Sequence, residues 1–187
     1  MQKIFDDVKD QLVNSIMDGL TRFEVNRHTA LVTDWSKAGV GYILTQKSCE
    51  CSDINPMCCK YGWKVCLLGS RFTIKAEANY APVEDEMLAV TYGLSKTKYY
   101  TLGLEKLIIC VDHKLLLRIL NDCPLEKIDN RRLSRLNEKI FGWRYKIVHI
   151  SGSRLTGPDA LSRMPRTDAE AQLIQANKTM YHHFETE

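Results

Sequence analysis

The sequence predicts a mixed α/β domain, a five-stranded mixed sheet flanked by helices, and three observations predict it. Short apolar runs separated by polar, glycine-flanked segments occur at Ala30–Trp35, Gly39–Gln46 and Trp63–Ser70, which is how consecutive strands read. A helical pattern begins at Pro82 behind an acidic first turn and runs to Tyr100. A dense aliphatic run, Lys106–Val111, is followed at once by helical spacing, so a strand meander gives way to strand–helix units and the sheet is mixed.

Taken in order, Ile4, Phe5, Val8, Leu12, Ile16 and Leu20 recur every three to four positions, predicting an amphipathic helix beside the main domain. The three runs from Ala30 form a meander whose second connection, 47–62, is long and cysteine-rich. Pro82 suits a first helical position because the N–H it lacks has no partner there, and Glu84, Asp85 and Glu86 complement the positive helix end. Lys106–Val111 reads as a buried strand and His113–Leu120 as a helix. Over Asp129–Gly142, Leu133, Leu136 and Ile140 mark one apolar face, and Arg131, Arg132, Arg135 and Lys139 one basic face. Trp143–Ile150 is the last strand, Gly152–Pro158 a loop, and Asp159 opens a short helix through Arg163. Beyond Pro165 small polar residues dominate, so 166–187 is either a peripheral helix or a disordered linker. The expected organisation is a helix and linker over 1–29, one domain over 30–165, and that extension.

The chain has 187 residues, 44% of them hydrophobic and 26% charged, which is enough for one sizeable core. No stretch approaches the ~18 consecutive apolar residues of a membrane span, and Met1–Asp10 is too polar for a signal peptide; a soluble intracellular protein is expected. A formal charge of +3 does not by itself indicate a nucleic-acid partner; the distribution of charge decides. Seven cysteines without a secretory signal suggest reduced thiols or a metal site before structural disulfides. Cys49, Cys51, Cys58 and Cys59 crowd the 47–62 loop, whereas Cys66, Cys110 and Cys123 lie among apolar residues and are expected to fill core.

The informative acids interrupt apolar elements: Asp34 within the first strand, Glu86 in the first turn of the long helix, Asp112 ending the Lys106–Val111 strand, and Asp159 opening the last helix. Each alone has an ordinary explanation as a helix-end or strand-end acid, but a carboxylate in a core strand needs a partner or a cation. If the four converge, their repulsion is relieved by raised pKa values or by bound cations. All-oxygen ligation selects Mg²⁺ or Mn²⁺ over zinc, and two such ions ~3.5–4 Å apart suit phosphodiester hydrolysis.

The stretches Thr33-Asp34-Trp35-Ser36, Gly69-Ser70-Arg71-Phe72, Tyr80 through Val90, Val111-Asp112-His113-Lys114 and Pro158-Asp159-Ala160-Leu161-Ser162-Arg163 resemble, in order, the signatures of ribonuclease H domains in gypsy-type LTR retrotransposon reverse transcriptases. The resemblance covers Ala30–Arg163, and the segment before it resembles the stretch linking a polymerase to this domain. It implies a ribonuclease H-like fold, hydrolysis of the RNA strand of RNA/DNA hybrids, a polymerase domain in the same polyprotein, no membrane partner, and a cytoplasmic setting within virus-like particles. The family's catalytic set maps onto Asp34, Glu86, Asp112 and Asp159, with Glu84 a rival to Glu86; the apolar Met87–Val90 that follows favours Glu86. By the same resemblance Asp34 bridges two metals, Glu86 and Asp112 complete the site nearer the leaving group, and Asp159 holds the water-activating ion. Trp35 stands where the family often has a small residue and Leu115 where it often has proline. The loop Ser151–Pro158 lacks a histidine that many relatives carry there; His149 belongs to the preceding strand, leaving water or Arg154 for any proton-transfer role.

Holding a hybrid duplex by its backbone calls for basic side chains along one face. Arg131, Arg132, Arg135 and Lys139 suit that role, with Lys114, Arg154 and Arg71 as further candidates, although a solvated helix face reads the same way. Tyr80 and Trp143 are sugar-stacking or core aromatics. The four loop cysteines could supply thiolates to one structural zinc, in a spacing that is not a standard one; free thiols or a disulfide are the alternatives. Two other functions are weighed against the nuclease: a domesticated, non-cutting binder or scaffold, disfavoured by the retained acids, and a transposase or integrase, disfavoured by the Asp112 and Asp159 motifs.

Overall fold

The computed structural model describes residues 20–56, 58–59, 62–122, 128–151 and 162. All but the last residue of the expected helix Ile4–Leu20 lie outside that set, as do Cys123, Arg154, Asp159 and the extension after Pro165.

Five strands, β1 (Thr29–Trp35), β2 (Gly39–Lys47), β3 (Trp63–Phe72), β4 (Leu107–Val111) and β5 (Lys146–His149), form one sheet in the order β3-β2-β1-β4-β5. The first three pair antiparallel as a meander; β4 joins β1, and β5 joins β4, in parallel. Side chains alternate across the central strands. Leu31, Leu107, Ile109 and Val111 enter a large core with Met87, Val90, Leu94, Leu116, Leu133, Leu136 and Ile140 from the helices. Ala30, Val32, Ile108 and Cys110 enter a smaller one with Ile150, Ile54, Trp63 and Val148.

Helix α1 (Pro82–Lys96) lies on the larger core. Its approach is set at Gly93, where an added Cβ would sit 3.0 Å from Thr33 Cγ2 and 3.2 Å from Leu31 Cδ2. The expected single helix to Tyr100 is in fact two, because α1 ends at Lys96 and a short α2 (Lys98–Thr101) follows. Thr97 breaks the run: its hydroxyl donates to the Gly93 carbonyl at 2.8 Å and faces Thr101 Oγ1 at 3.4 Å, a side-chain competition with the helix ladder.

Helix α3 (Lys114–Asp122) starts one residue later than expected, because His113 Nδ1 accepts from the Leu115 N–H at 3.3 Å. Helix α4 (Arg131–Ile140) is capped by Asn130, whose side chain accepts from Arg132 N at 2.9 Å and Leu133 N at 3.2 Å; such a cap contributes about 1 kcal/mol. Strand β5 is shorter than the expected Trp143–Ile150. Its ladder with β4 begins at Ile108↔Lys146, and Trp143 is drawn away, its N–H closing α4 on Ile140 and its indole donating to Thr101 Oγ1 at 2.9 Å. Ahead of β1, buried Gln46 holds the chain to the sheet by bonds to both the N–H and carbonyl of Glu24, at 2.9 and 2.7 Å.

Candidate active site

The parallel pairing of β1 and β4 is what brings two of the acids together. Its register, Val32↔Cys110, continued by two residues sets Asp34 beside Asp112 at the carboxyl ends of neighbouring parallel strands, the usual place for a site in such a sheet. Helix α1 presents its N-terminal end to the same place and adds Glu86, which stands just past the first turn and not within it as the sequence suggested. Carboxylate oxygens of Asp34, Glu86 and Asp112 all lie within 4.8 Å of one another.

The electrostatics are those of a site built for positive charge. Asp34 and Glu86 are buried, Asp112 half-buried, and Glu86 Oε2 has no hydrogen-bond partner among the described residues. Burial, and then the charges of Asp112 and Asp34, push the Glu86 carboxyl up to about 9. A hard cation among the three would satisfy the orphaned oxygen and remove the repulsion, so this all-oxygen set fits a divalent metal of the Mg²⁺ or Mn²⁺ kind.

Glu84 does something different. It accepts from the Ala81 N–H at 3.0 Å, Asn130 Nδ2 at 2.8 Å and Arg132 at 2.7 Å. Against the cost of its burial, these donors hold its carboxyl below the usual range. It closes the start of α1 and ties it to α4, leaving Glu86 as the glutamate in the acidic cluster. Between them Asp85 is also buried, and burial together with the charge of Glu84 pushes its carboxyl up to about 6.

Two of the expected duplex-binding arginines have carboxylate partners within the domain. Arg71 forms a two-pronged ion pair with Glu77 at 2.6 and 2.8 Å and lies 4.9 Å from the Tyr92 ring centre. Arg132 pairs with Glu84 and lies 4.0 Å from the ring centre of Tyr80. Arg131, Arg135 and Lys139 are exposed at four-residue spacing along α4, and Lys114 is exposed two residues after Asp112. Tyr80 thus serves as the platform for Arg132, and Trp143 packs against the core.

Ser162 was not singled out as a site residue by its sequence, yet its hydroxyl donates to Asp34 Oδ2 at 2.5 Å and its carbonyl accepts from Ser36 Oγ. A serine between leucine and arginine carries no signal of such a role; only its neighbourhood three residues after Asp159 could have drawn attention to it. His149, in β5, lies with Nε2 3.0 Å from the main-chain oxygen of Asp112. Away from these acids, Cys49, Cys51, Cys58 and Cys59 also come together, with Sγ atoms all within 4.8 Å of one another.

A family profile described as the RNase H-like domain found in reverse transcriptase matches residues 24–142. The chain is 28% identical over 161 residues to the retrovirus-related Pol polyprotein from transposon opus of Drosophila melanogaster, covering 86% of this chain and 14% of that one. It is 31% identical over 147 residues to the transposon Tf2-3 polyprotein of Schizosaccharomyces pombe, covering 78% and 10%. The chain therefore spans about a seventh or less of these curated relatives. Among solved structures, the N-terminal RNase H domain of a Mycobacterium tuberculosis protein superposes with TM-score 0.51 at 16% identity, over 80% of this chain and 99% of that one. The foamy viral protease-reverse transcriptase in complex with RNA/DNA hybrid does so with TM-score 0.51 at 16% identity, over 79% and 18%. No helix among the described residues is long and apolar enough to cross a membrane. The sheet order, the helices packed on it and these matches together make the chain a member of the RNase H-like domain family of reverse transcriptases.

Proposed function

We propose that the chain is a metal-dependent endonuclease that hydrolyses the RNA strand of RNA/DNA hybrids, as the ribonuclease H part of a retrotransposon reverse transcriptase. The observation that carries this reading is the convergence of Asp34, Glu86 and Asp112, with a Glu86 carboxylate oxygen buried and without a hydrogen-bond partner among the described residues. A protein that only bound nucleic acid would gain nothing from three mutually repelling acids at one strand end.

In this reading Asp34, Glu86 and Asp112 hold Mg²⁺ or Mn²⁺, and Asp159, outside the described residues, is the fourth ligand. The bond from Ser162 to Asp34, three residues downstream of Asp159, supports that assignment. Two ions so held would supply an activated water and charge stabilisation for the leaving oxygen. The residues of the chain orient and confine: Ser162 fixes the Asp34 carboxylate, Glu84 and Asn130 fix the first turn of α1 just ahead of Glu86, and His149 holds the Asp112 main chain. Lys114, Arg131, Arg135 and Lys139 contact duplex phosphates, reading backbone shape rather than bases. The polymerase domain of the same polyprotein, in a cytoplasmic particle, completes the duplex path.

The test is cleavage of a labelled RNA/DNA hybrid with Mg²⁺ or Mn²⁺, beside Asp112→Asn and Glu86→Gln variants and an all-DNA duplex. Metal-dependent cutting of the RNA strand alone, lost in both variants, is the expected result. Hybrid binding without cutting under either ion would replace this reading with that of a non-catalytic binder.

A further inference from the structure

We propose that Cys49, Cys51, Cys58 and Cys59 form a tetrathiolate site for one structural zinc ion that fastens the β2–β3 connection to the domain. The four Sγ atoms lie within 4.8 Å of one another, and those of Cys49 and Cys58 are 3.5 Å apart. A tetrahedral zinc with Zn–S bonds of about 2.3 Å spaces its sulfurs about 3.8 Å apart. A disulfide instead needs about 2.05 Å, and a single bridge would leave two further thiols crowded against it without a role.

The backbone is arranged around those sulfurs. Cys49 and Cys51 follow the end of β2, and Cys58 and Cys59 precede β3, so one ion would join both ends of the connection. Gly62 accepts at its carbonyl from Ser48 N at 2.7 Å and Cys49 N at 3.2 Å, closing the loop base. A Cβ there would fall 2.4 Å from the sulfur of Cys59 and 2.6 Å from that of Cys49. Only glycine lets the main chain pass so close to two ligand atoms. On the far side the Cys58 N–H donates to the Asn55 carbonyl at 2.9 Å, turning the paired cysteines inward.

The loop has reason to be held. Its Ile54 covers the smaller core of Ala30, Val32, Ile108 and Cys110, yet the connection has few other apolar residues to keep it there. Metal binding and ordering of such a segment are one process. Ligation exchanges four thiol protons for one Zn²⁺ and leaves a net charge of −2, beside which Lys47 already lies, its ammonium donating to the Cys51 carbonyl.

This inference stands apart from the nuclease reading, and so does its test. Purified under reducing conditions without chelator, the chain should carry about one zinc by elemental analysis, lost in Cys49→Ser and Cys58→Ser and kept in Cys66→Ser. Because a ligand variant can misfold, the unaltered chain is also stripped and reloaded with Co²⁺. The sulfur-to-cobalt charge transfer and intense visible bands of a tetrahedral tetrathiolate should then appear and be bleached by one equivalent of zinc. Substoichiometric zinc with no such spectrum, a disulfide among these cysteines in the reduced preparation, or iron in place of zinc would each overturn the proposal.

Discussion

The two ends of this sheet hold clusters of opposite chemistry. At the carboxyl ends of β1 and β4 stand Asp34, Asp112 and, from α1, Glu86; at the other end of β2, beyond Lys47, stand four thiols. The acids come from three elements far apart in sequence, locked in place by sheet register and helix packing. They stay together although they repel, with Glu86 taking up a proton to relieve the strain. The cysteines come from a single loop and repel little as thiols. One end is built by strands and a helix that meet across the core; the other is built within one connection.

The largest expected effect separates Glu86 from its neighbour two residues away. Glu86→Gln should lower hybrid cleavage about a thousandfold, the rate equivalent of several kcal/mol of lost charge stabilisation, with folding intact. Glu84→Gln should instead keep most of the cleavage and lose about 2 kcal/mol of stability, because it weakens charged hydrogen bonds; paired kinetics and urea unfolding distinguish them. A dead Glu84→Gln beside an active Glu86→Gln would reverse the assignment.

Metal addition comes next. Mg²⁺ at a hundred times its dissociation constant should stabilise by about 2.7 kcal/mol, or roughly 5–10 °C in Tm. Asp34→Asn should abolish that shift and leave zinc content untouched, whereas Cys49→Ser should do the reverse. Melting curves with elemental analysis would expose any coupling between the two ends.

A pH dependence carried by Glu86 should mark the acidic end. The Glu86 carboxyl titrates at about 9 in the folded chain against an ordinary 4.5, so the folded state holds a proton the unfolded state has released. The stability this brings is full below pH 4.5 and is lost as pH rises toward 9. Asp85, pushed to about 6 from 3.8, adds to the lower part of the fall, while Glu77 and Glu84, held low by their partners, contribute stability that is lost in acid. Unfolding in chelator between pH 6 and 9 should therefore show declining stability, and Glu86→Gln or saturating Mg²⁺ should flatten it. A slope unchanged by either would remove Glu86 as its source.

Smaller effects concern the surroundings. Reversing charge at Arg131, Arg135 and Lys139 together should weaken hybrid binding and reduce its salt slope by about 3, measured by titration at several ionic strengths. Ser162→Ala, which removes the hydroxyl bond to Asp34, should cost about 1 kcal/mol and raise the Mg²⁺ concentration needed for half-maximal cleavage. No change in that requirement would make Ser162 a purely structural contact.

Much of this was readable along the chain. The five strands, the proline-led start of α1, the two-faced α4 and the thiol-rich loop follow from hydrophobic period and turn chemistry, which act over a few residues. The family motifs pointed to Asp34, Glu86 and Asp112. Less readable were the break at Thr97, the late start of β5, and the capture of Arg71 by Glu77 and of Arg132 by Glu84. In each case a side-chain partner overrides the local pattern: helical spacing continues through Thr97 although its hydroxyl turns to the Gly93 carbonyl, the Trp143 indole is drawn to Thr101, and an arginine looks the same in sequence whether paired or free.

By itself the sequence determined which residue types sit at which intervals, and hence the elements, the presence of acids at element ends, and four cysteines close enough in the chain to meet. Tertiary structure decided that Asp34 and Asp112 are neighbours, that Glu86 rather than Glu84 joins them, and that Ser162 reaches Asp34. Secondary structure responds to forces between near neighbours in the chain, whereas the spacing of charges depends on strand register and helix packing, which exist only once the core has closed.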